Sequence, residues 1–224
     1  MTNITTTSNL GNWINLGYVR TPDDEVARIA DLIAPLGAGP LRVADPCCGE
    51  GLALAQLKAA LETQHGLQAV TFGTEADQER AAAAADQVDQ CLWSTYQDAR
   101  WVDETMDVLF LNPPYAGGKL ELQFLLETQD VLRRGGLLVY IIRQRRLSRH
   151  PIATRLAGHF DVLAVYPFLP EHFAAYDQIV VVARRRAKRL DDEMKQWLVN
   201  IGKNGRYDDG GALAEEGEAE RRHR

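Results

Sequence analysis

Two stretches carry residue types whose order points to chemistry. The first is Asn112-Pro113-Pro114-Tyr115, which ends the apolar run Asp107-Val108-Leu109-Phe110-Leu111. A run rich in Val, Leu and Phe reads as a buried strand. Two prolines stop it, because neither can donate a ladder hydrogen bond. Such a strand delivers an amide side chain, a stiff carbonyl-bearing elbow and an aromatic face at its carboxyl end, where ligands bind in open α/β sheets. Gly117 and Gly118 follow the elbow. The second stretch is Asp45-Pro46-Cys47-Cys48-Gly49-Glu50-Gly51, again directly after a short apolar strand. Gly49 and Gly51 are positions that let a ligand approach the backbone closely. The pattern is neither the Gly-x-Gly-x-x-Gly dinucleotide fingerprint nor a phosphate loop. Glu75, at the end of the next strand, is placed to take the two hydroxyls of a ribose. Asp98, after the third strand, is placed to accept from an adenine amino group. Together these strand ends describe a site for a nucleoside-like ligand.

The elements that must position them alternate. Val26, Ile29, Ile33 and Leu36 recur at helical spacing, with Thr21 as N-cap and Pro22 at the first helical position. Strands are expected at 41–44, 68–74, 91–96, 107–111, 137–142, 160–166 and 178–183. Helices are expected behind the glycine loop up to Gly66, over 76–90, from Leu120 to Val131 with Gly135 and Gly136 as its cap, over 148–159 and over 191–201. The link from Ala99 to Thr105 is too short for a crossover helix. The aromatic link 167–177 leaves no room for one either, so the last two strands must pair antiparallel. This order predicts a Rossmann-like α/β fold: a seven-stranded, mostly parallel, doubly wound sheet with an antiparallel last strand. Residues 1–15 read as a flexible lead-in, 16–190 as the catalytic domain, and 191–224 as a charged, partly disordered tail.

Composition restricts the setting. The chain has 224 residues, 46% hydrophobic and 25% charged, with a net charge of −6. No apolar run approaches the roughly 20 residues that span a bilayer, so no membrane role is expected. The polar N-terminus is no signal peptide. Cys47, Cys48 and Cys91 form neither a disulfide framework nor a zinc pattern, which suggests a cytoplasmic setting and no metal. Bulk acidity argues against generic duplex binding, yet two basic clusters stand out: Arg143, Arg145, Arg146, Arg149 and His150, then Arg184, Arg185, Arg186, Lys188 and Arg189.

The glycine loop, the acidic end of strand two and Asn-Pro-Pro-Tyr after strand four resemble the class I S-adenosylmethionine-dependent methyltransferases. They are most like the amino-methyltransferases that modify adenine N6 in DNA. Tyr18-x-x-Thr21-Pro22 also resembles the N-terminal motif that packs over the methionine end of the cofactor, with one residue more than usual before the Thr. The resemblance covers roughly residues 17–186. It implies S-adenosyl-L-methionine as cofactor, held by Tyr18, Thr21, Pro22, Asp45, Pro46, Cys47, Gly49, Gly51, Glu75, Asp98 and Asn112. It implies Asn112, Pro113, Pro114 and Tyr115 as the catalytic elbow. The Asn112 oxygen and the Pro113 carbonyl would each accept one N–H of an aromatic amine, and the Tyr115 face would stack on the target and stabilise the charge developing on nitrogen. Lys119, Phe173 and Tyr176 are expected as further substrate contacts, and a target base must be unstacked to be reached. The same tetrapeptide occurs in ribosomal-RNA guanine-N2 methyltransferases and in glutamine methyltransferases of release factors, so DNA, RNA and protein substrates all stay open. So does a non-catalytic, cofactor-binding subunit. With no second globular segment for target recognition, sequence choice is expected to come from a protein partner, from single-stranded or RNA substrates, or from a missing C-terminal region.

Overall fold

The computed structural model describes residues 19–33, 40–115 and 119–207. Tyr18, Leu36, Gly117, Gly118 and the chain beyond Tyr207 lie outside them, so the expectations resting on those residues have no structural counterpart here. Among the described residues seven strands, β1 (Leu41–Asp45), β2 (Ala69–Glu75), β3 (Gln90–Trp93), β4 (Met106–Leu111), β5 (Leu132–Arg143), β6 (Phe160–Pro167) and β7 (Gln178–Arg185), form a mixed sheet in the order β3-β2-β1-β4-β5-β7-β6. Residue contacts divide the chain into two compact units, Met1–Val102 with Leu111–Gln129, and Asp103–Phe110 with Asp130–Arg224.

The first unit holds helix α1 (Asp23–Ile33), β1 (Leu41–Asp45), α2 (Leu52–His65), β2 (Ala69–Glu75), α3 (Gln78–Ala85), β3 (Gln90–Trp93) and α4 (Leu120–Thr128). β1 pairs in parallel with β2, and β2 with β3. Val26, Ile29 and Ile33 bury one stripe of α1, and Leu54, Leu57 and Leu61 one stripe of α2, which makes each helix a one-sided cover for apolar neighbours. α2 closes at Gly66 in the left-handed conformation. α3 is shorter than its alanine run suggests, because Asp77 caps it late and the chain turns at Asp86.

The second unit carries β4 (Met106–Leu111), whose last residue passes to the first unit, then β5 (Leu132–Arg143), α5 (His150–His159), β6 (Phe160–Pro167), α6 (Pro170–Tyr176), β7 (Gln178–Arg185) and α7 (Asp192–Asn204). β7 lies antiparallel to β5, with Arg143 opposite Gln178, and antiparallel to β6. This is the antiparallel end that the short link requires.

Three expectations need correction. The helix from Leu120 ends at Thr128 and gives way to a single 3-10 turn, so Gly135 and Gly136 do not cap it but sit inside β5. The reason is space: a Cβ on Gly136 would lie 2.8 Å from the Leu132 side chain and 2.9 Å from the Asp107 carbonyl. The aromatic link between β6 and β7 holds a seven-residue helix, α6, started by Leu169-Pro170. The Pro22 carbonyl accepts the Val26 N–H at 3.1 Å, so Pro22 rather than Thr21 stands at the start of α1.

Candidate active site

Asp45 ends β1 inside the core, 3% exposed, and its carboxylate accepts the Cys47 N–H at 2.8 Å. Burial is the main cause that pushes its pKa up to about 7; the Cys47 N–H opposes it. The loop that follows is tied down atom by atom. Cys48 N–H donates to the Thr74 carbonyl at 3.0 Å, Gly49 N–H to Glu75 Oε2 at 3.0 Å, and Gly51 N–H to the Cys48 carbonyl at 2.9 Å. The Thr74 hydroxyl donates to the Pro46 carbonyl at 2.9 Å. Gly49 and Gly51 both take positive φ, 58° and 78°. Any Cβ on Gly51 would also meet Ala84 of α3 at 3.1 Å. The crowding at Gly51 comes from α3, and the loop is preformed by its own hydrogen bonds.

Glu75 is buried at the end of β2 and links three segments. Its Oε2 accepts from Gly49, while its Oε1 accepts the Asp77 N–H at 2.9 Å and the Arg80 guanidinium at 2.9 Å. Arg80 carries no motif in the sequence. The signal available for it was a cation five residues after an acidic strand end, on the helix that β2 feeds.

Asn112 is the centre of the cluster. Its Nδ2 donates to the Val19 carbonyl at 3.0 Å and to the Thr21 hydroxyl at 3.0 Å. Its Oδ1 accepts the Tyr115 hydroxyl at 2.8 Å. Both amide hydrogens are therefore taken, and the oxygen is held as the acceptor end. The Cys47 thiol, 3.5 Å from the Asn112 carbonyl, joins the glycine loop to this elbow. Burial, with Asp45 beside it, pushes that thiol well above its ordinary pKa, which suits a packing role and not a nucleophile.

Of the expected residues, Thr21, Asp45, Cys47, Gly49, Glu75, Asn112 and Tyr115 are joined by this chain of contacts, and Pro46, Gly51, Pro113 and Pro114 lie on the segments it ties. Asp98 is exposed in the turn after β3, accepting from the Thr95 hydroxyl at 2.7 Å, and is not part of the chain. Lys119 is exposed just before α4. Phe173 and Tyr176 lie on α6 in the second unit. Sequence reasoning missed Tyr96, buried after β3, whose ring lies 4.0 Å from that of Phe124 on α4. Burial and the nearby Glu127 raise its phenol pKa, so it stays neutral.

The profile of an uncharacterised methyltransferase family, DUF6094, matches residues 1–213. The chain belongs to that family. No curated protein matches the sequence. Among solved structures, the protein is similar to one from Listeria monocytogenes assigned as a class I S-adenosylmethionine-dependent methyltransferase. The two share 14% identity at a TM-score of 0.65, over 82% of this chain and 71% of the other. It is also similar to the type IIG restriction endonuclease BpuSI, with 14% identity and a TM-score of 0.61, over 88% of this chain and 30% of that one. A third likeness is to the methyltransferase subunit of a type I restriction-modification system from Streptococcus thermophilus. Here identity is 15% and the TM-score 0.59, over 86% of this chain and 54% of the other. The chain thus spans about a third and about half of those two restriction proteins, and identities this low speak for the fold.

Proposed function

We propose that this methyltransferase uses S-adenosyl-L-methionine to methylate an exocyclic amine, the N6 of adenine in DNA or RNA, with Asn112-Pro113-Pro114-Tyr115 as the reaction centre. The observation that carries this reading is the Asn112 amide. Its two N–H groups are spent on Val19 and Thr21, and its oxygen already holds a donor, the Tyr115 hydroxyl at 2.8 Å. That hydroxyl marks where a substrate N–H would sit.

The glycine loop fits the cofactor. A pyrophosphate needs free backbone N–H groups, but those of Cys47, Cys48, Gly49 and Gly51 are all used within the protein. What the loop offers is a rigid wall of small residues, with the Glu75 carboxylate behind it. Such a wall suits an uncharged nucleoside better than a phosphate chain. In this reading Asp45, Pro46, Cys47, Gly49 and Gly51 shape the wall, Glu75 takes the ribose, and Thr21 and Pro22 border the methionine end. The cofactor supplies an electrophilic methyl group.

The protein's own contribution is orientation and charge stabilisation. An aromatic amine is a weak nucleophile because its lone pair is delocalised. Accepting one N–H at Asn112 Oδ1 and the other at the Pro113 carbonyl turns that lone pair out of the ring and stabilises the positive charge that grows on nitrogen. The Tyr115 ring adds its face to the same charge. Two prolines keep the elbow stiff, as in-line transfer requires. No general base is needed before attack. Restriction proteins among the structural neighbours support a nucleic-acid amine over a protein amide.

Incubation with labelled cofactor and separate pools of DNA, RNA and protein tests the reading, with digestion and mass spectrometry to identify the product. N6-methyladenine that disappears with Asn112→Ala is expected. Label in protein alone would overturn the substrate, and cofactor binding without transfer to any pool would overturn catalysis.

A further inference from the structure

The two basic clusters look alike in sequence, and the structure separates them. Arg185 is tied to Asp130, Glu104 and the Leu132 carbonyl, Arg186 to Asp161 and the Ala157 carbonyl, and Arg189 lies near Asp161 and Asp191. These three arginines have partners within the second unit, while Arg184 and Lys188 of the same cluster are exposed. In the other cluster Arg145 and Arg149 are exposed and form no salt bridge among the described residues. Asp177 is the acid that faces Arg145, and the Arg143 beside it.

This segment is also held rigidly. Gln144 N–H donates to the Asp177 carbonyl at 2.8 Å, and the Ser148 hydroxyl to the Arg145 carbonyl at 2.6 Å. The end of α7 docks against it: a Cβ on Gly202 would lie 2.1 Å from the Ser148 nitrogen, and the Tyr207 hydroxyl donates to Gln144 Oε1 at 2.6 Å. That docking brings exposed Lys203 and Arg206 to the same part of the unit. Tyr176, 43% exposed, ends α6 one residue before Asp177.

We infer that Arg145 and Arg149, with Lys203 and Arg206 behind them, form a surface that takes the phosphodiester backbone of a nucleic-acid strand, and that Tyr176 stacks on one of its bases. The inference rests on the nucleic-acid reading above and names where that partner is held. Cations on a firm backbone beside one exposed aromatic are what a single strand needs, phosphate contact plus a stacking face. A protein interface would instead need an apolar centre, and Tyr176 is the large apolar side chain exposed at this place. On a chain of net charge −6 a polyanion binds only where such cations are gathered.

The test is fluorescence-anisotropy titration of a labelled single-stranded oligonucleotide against salt, with the full chain. R145Q/R149Q removes two phosphate contacts, and the slope of log affinity on log salt is expected to fall by about 1.4. Tyr176→Ala is expected to weaken binding about tenfold with the slope unchanged. K188Q/K195Q makes the same charge change elsewhere in the unit. If it weakens binding as much as R145Q/R149Q, or if the slope of R145Q/R149Q equals that of the unaltered protein, the surface is wrong. Methylation of nucleic acid with an unchanged KM in R145Q/R149Q removes this inference alone. A protein that binds and methylates no nucleic acid removes the substrate reading with it.

Discussion

Thr21→Val separates two roles for one side chain. Resemblance makes Thr21 a wall of the cofactor site, whereas its hydroxyl accepts an Asn112 N–H at 3.0 Å in a place where Thr21 is 2% exposed. Valine keeps the shape and deletes the acceptor. A part-buried N–H left without its partner costs about 1–3 kcal/mol. The Val19 carbonyl still holds the other hydrogen, so the amide keeps one tether. The loss falls on preorganisation: an Asn112 side chain free to turn offers its NH2 where the oxygen should be. At about 1.4 kcal/mol per tenfold, kcat is expected to fall roughly 10- to 100-fold. The cofactor Kd, measured by calorimetry, should stay within about twofold, and the melting temperature should drop by about 2–12 °C. Thr21→Ser restores the hydroxyl and should recover most of kcat. If Val raises the cofactor Kd and leaves kcat intact, Thr21 is a cofactor wall. If Ser is as poor as Val, the hydroxyl is not the cause.

Tyr115→Phe removes the hydroxyl that occupies Asn112 Oδ1 but keeps the ring, so turnover should be retained within about threefold while Tyr115→Ala, which deletes the stacking face, should lose tenfold or more in kcat/KM. Gly73→Ala would put a Cβ 2.6 Å from Cys48 Sγ and 3.1 Å from Cys48 Cβ. It should destabilise the fold by about 1–3 kcal/mol in urea melts, and Cys48→Ala in the same chain should recover part of that loss. Asp45, with a pKa raised by burial to about 7, holds its proton more tightly folded than unfolded. Its contribution to stability is present in full below about pH 4 and declines as pH rises to about 7, by up to about 1.4 kcal/mol per pH unit. Asp45→Asn should flatten that part of the stability profile while its amide oxygen still accepts the Cys47 N–H.

Much of the fold was legible because its signals are local. Apolar runs stopped by Asp45, Glu75 and Asn112 mark strand ends, and a link of ten residues before Gln178 requires the antiparallel β7. Helix ends were less legible. Gly135 and Gly136 read as a cap because two glycines after an apolar helix usually are one, yet both lie inside β5, where Leu132 and the Asp107 carbonyl crowd Gly136. The site divides the same way. Residue types at strand ends could be read, but partners could not. Val19 contributes a backbone carbonyl, which no residue type announces, and Arg80 reaches Glu75 from the next helix. Nor could the two arginine clusters be told apart, because the acids that absorb one of them, Asp130 and Asp161, come from other parts of the chain.

The contacts that sequence could not announce are the ones that give Asn112 a direction. A side-chain amide at the end of a strand can turn about its terminal torsion at little cost, exchanging donor for acceptor. Residue type therefore places the group and leaves its polarity open. Here the polarity is set by a segment more than 90 residues earlier, which meets both N–H groups with acceptors, and by Tyr115, which meets the oxygen with a donor. Three partners of matching sense leave one low-energy orientation. In the proposed reading an exocyclic amine would arrive as a donor and meet an acceptor already facing it, with only the Tyr115 hydroxyl to displace. A carbonyl or a phosphate oxygen would meet that same acceptor and be repelled. In the proposed reading the tether from Val19 and Thr21 would make the elbow selective for N–H groups, and would tie the amine chemistry to the segment that leads into α1.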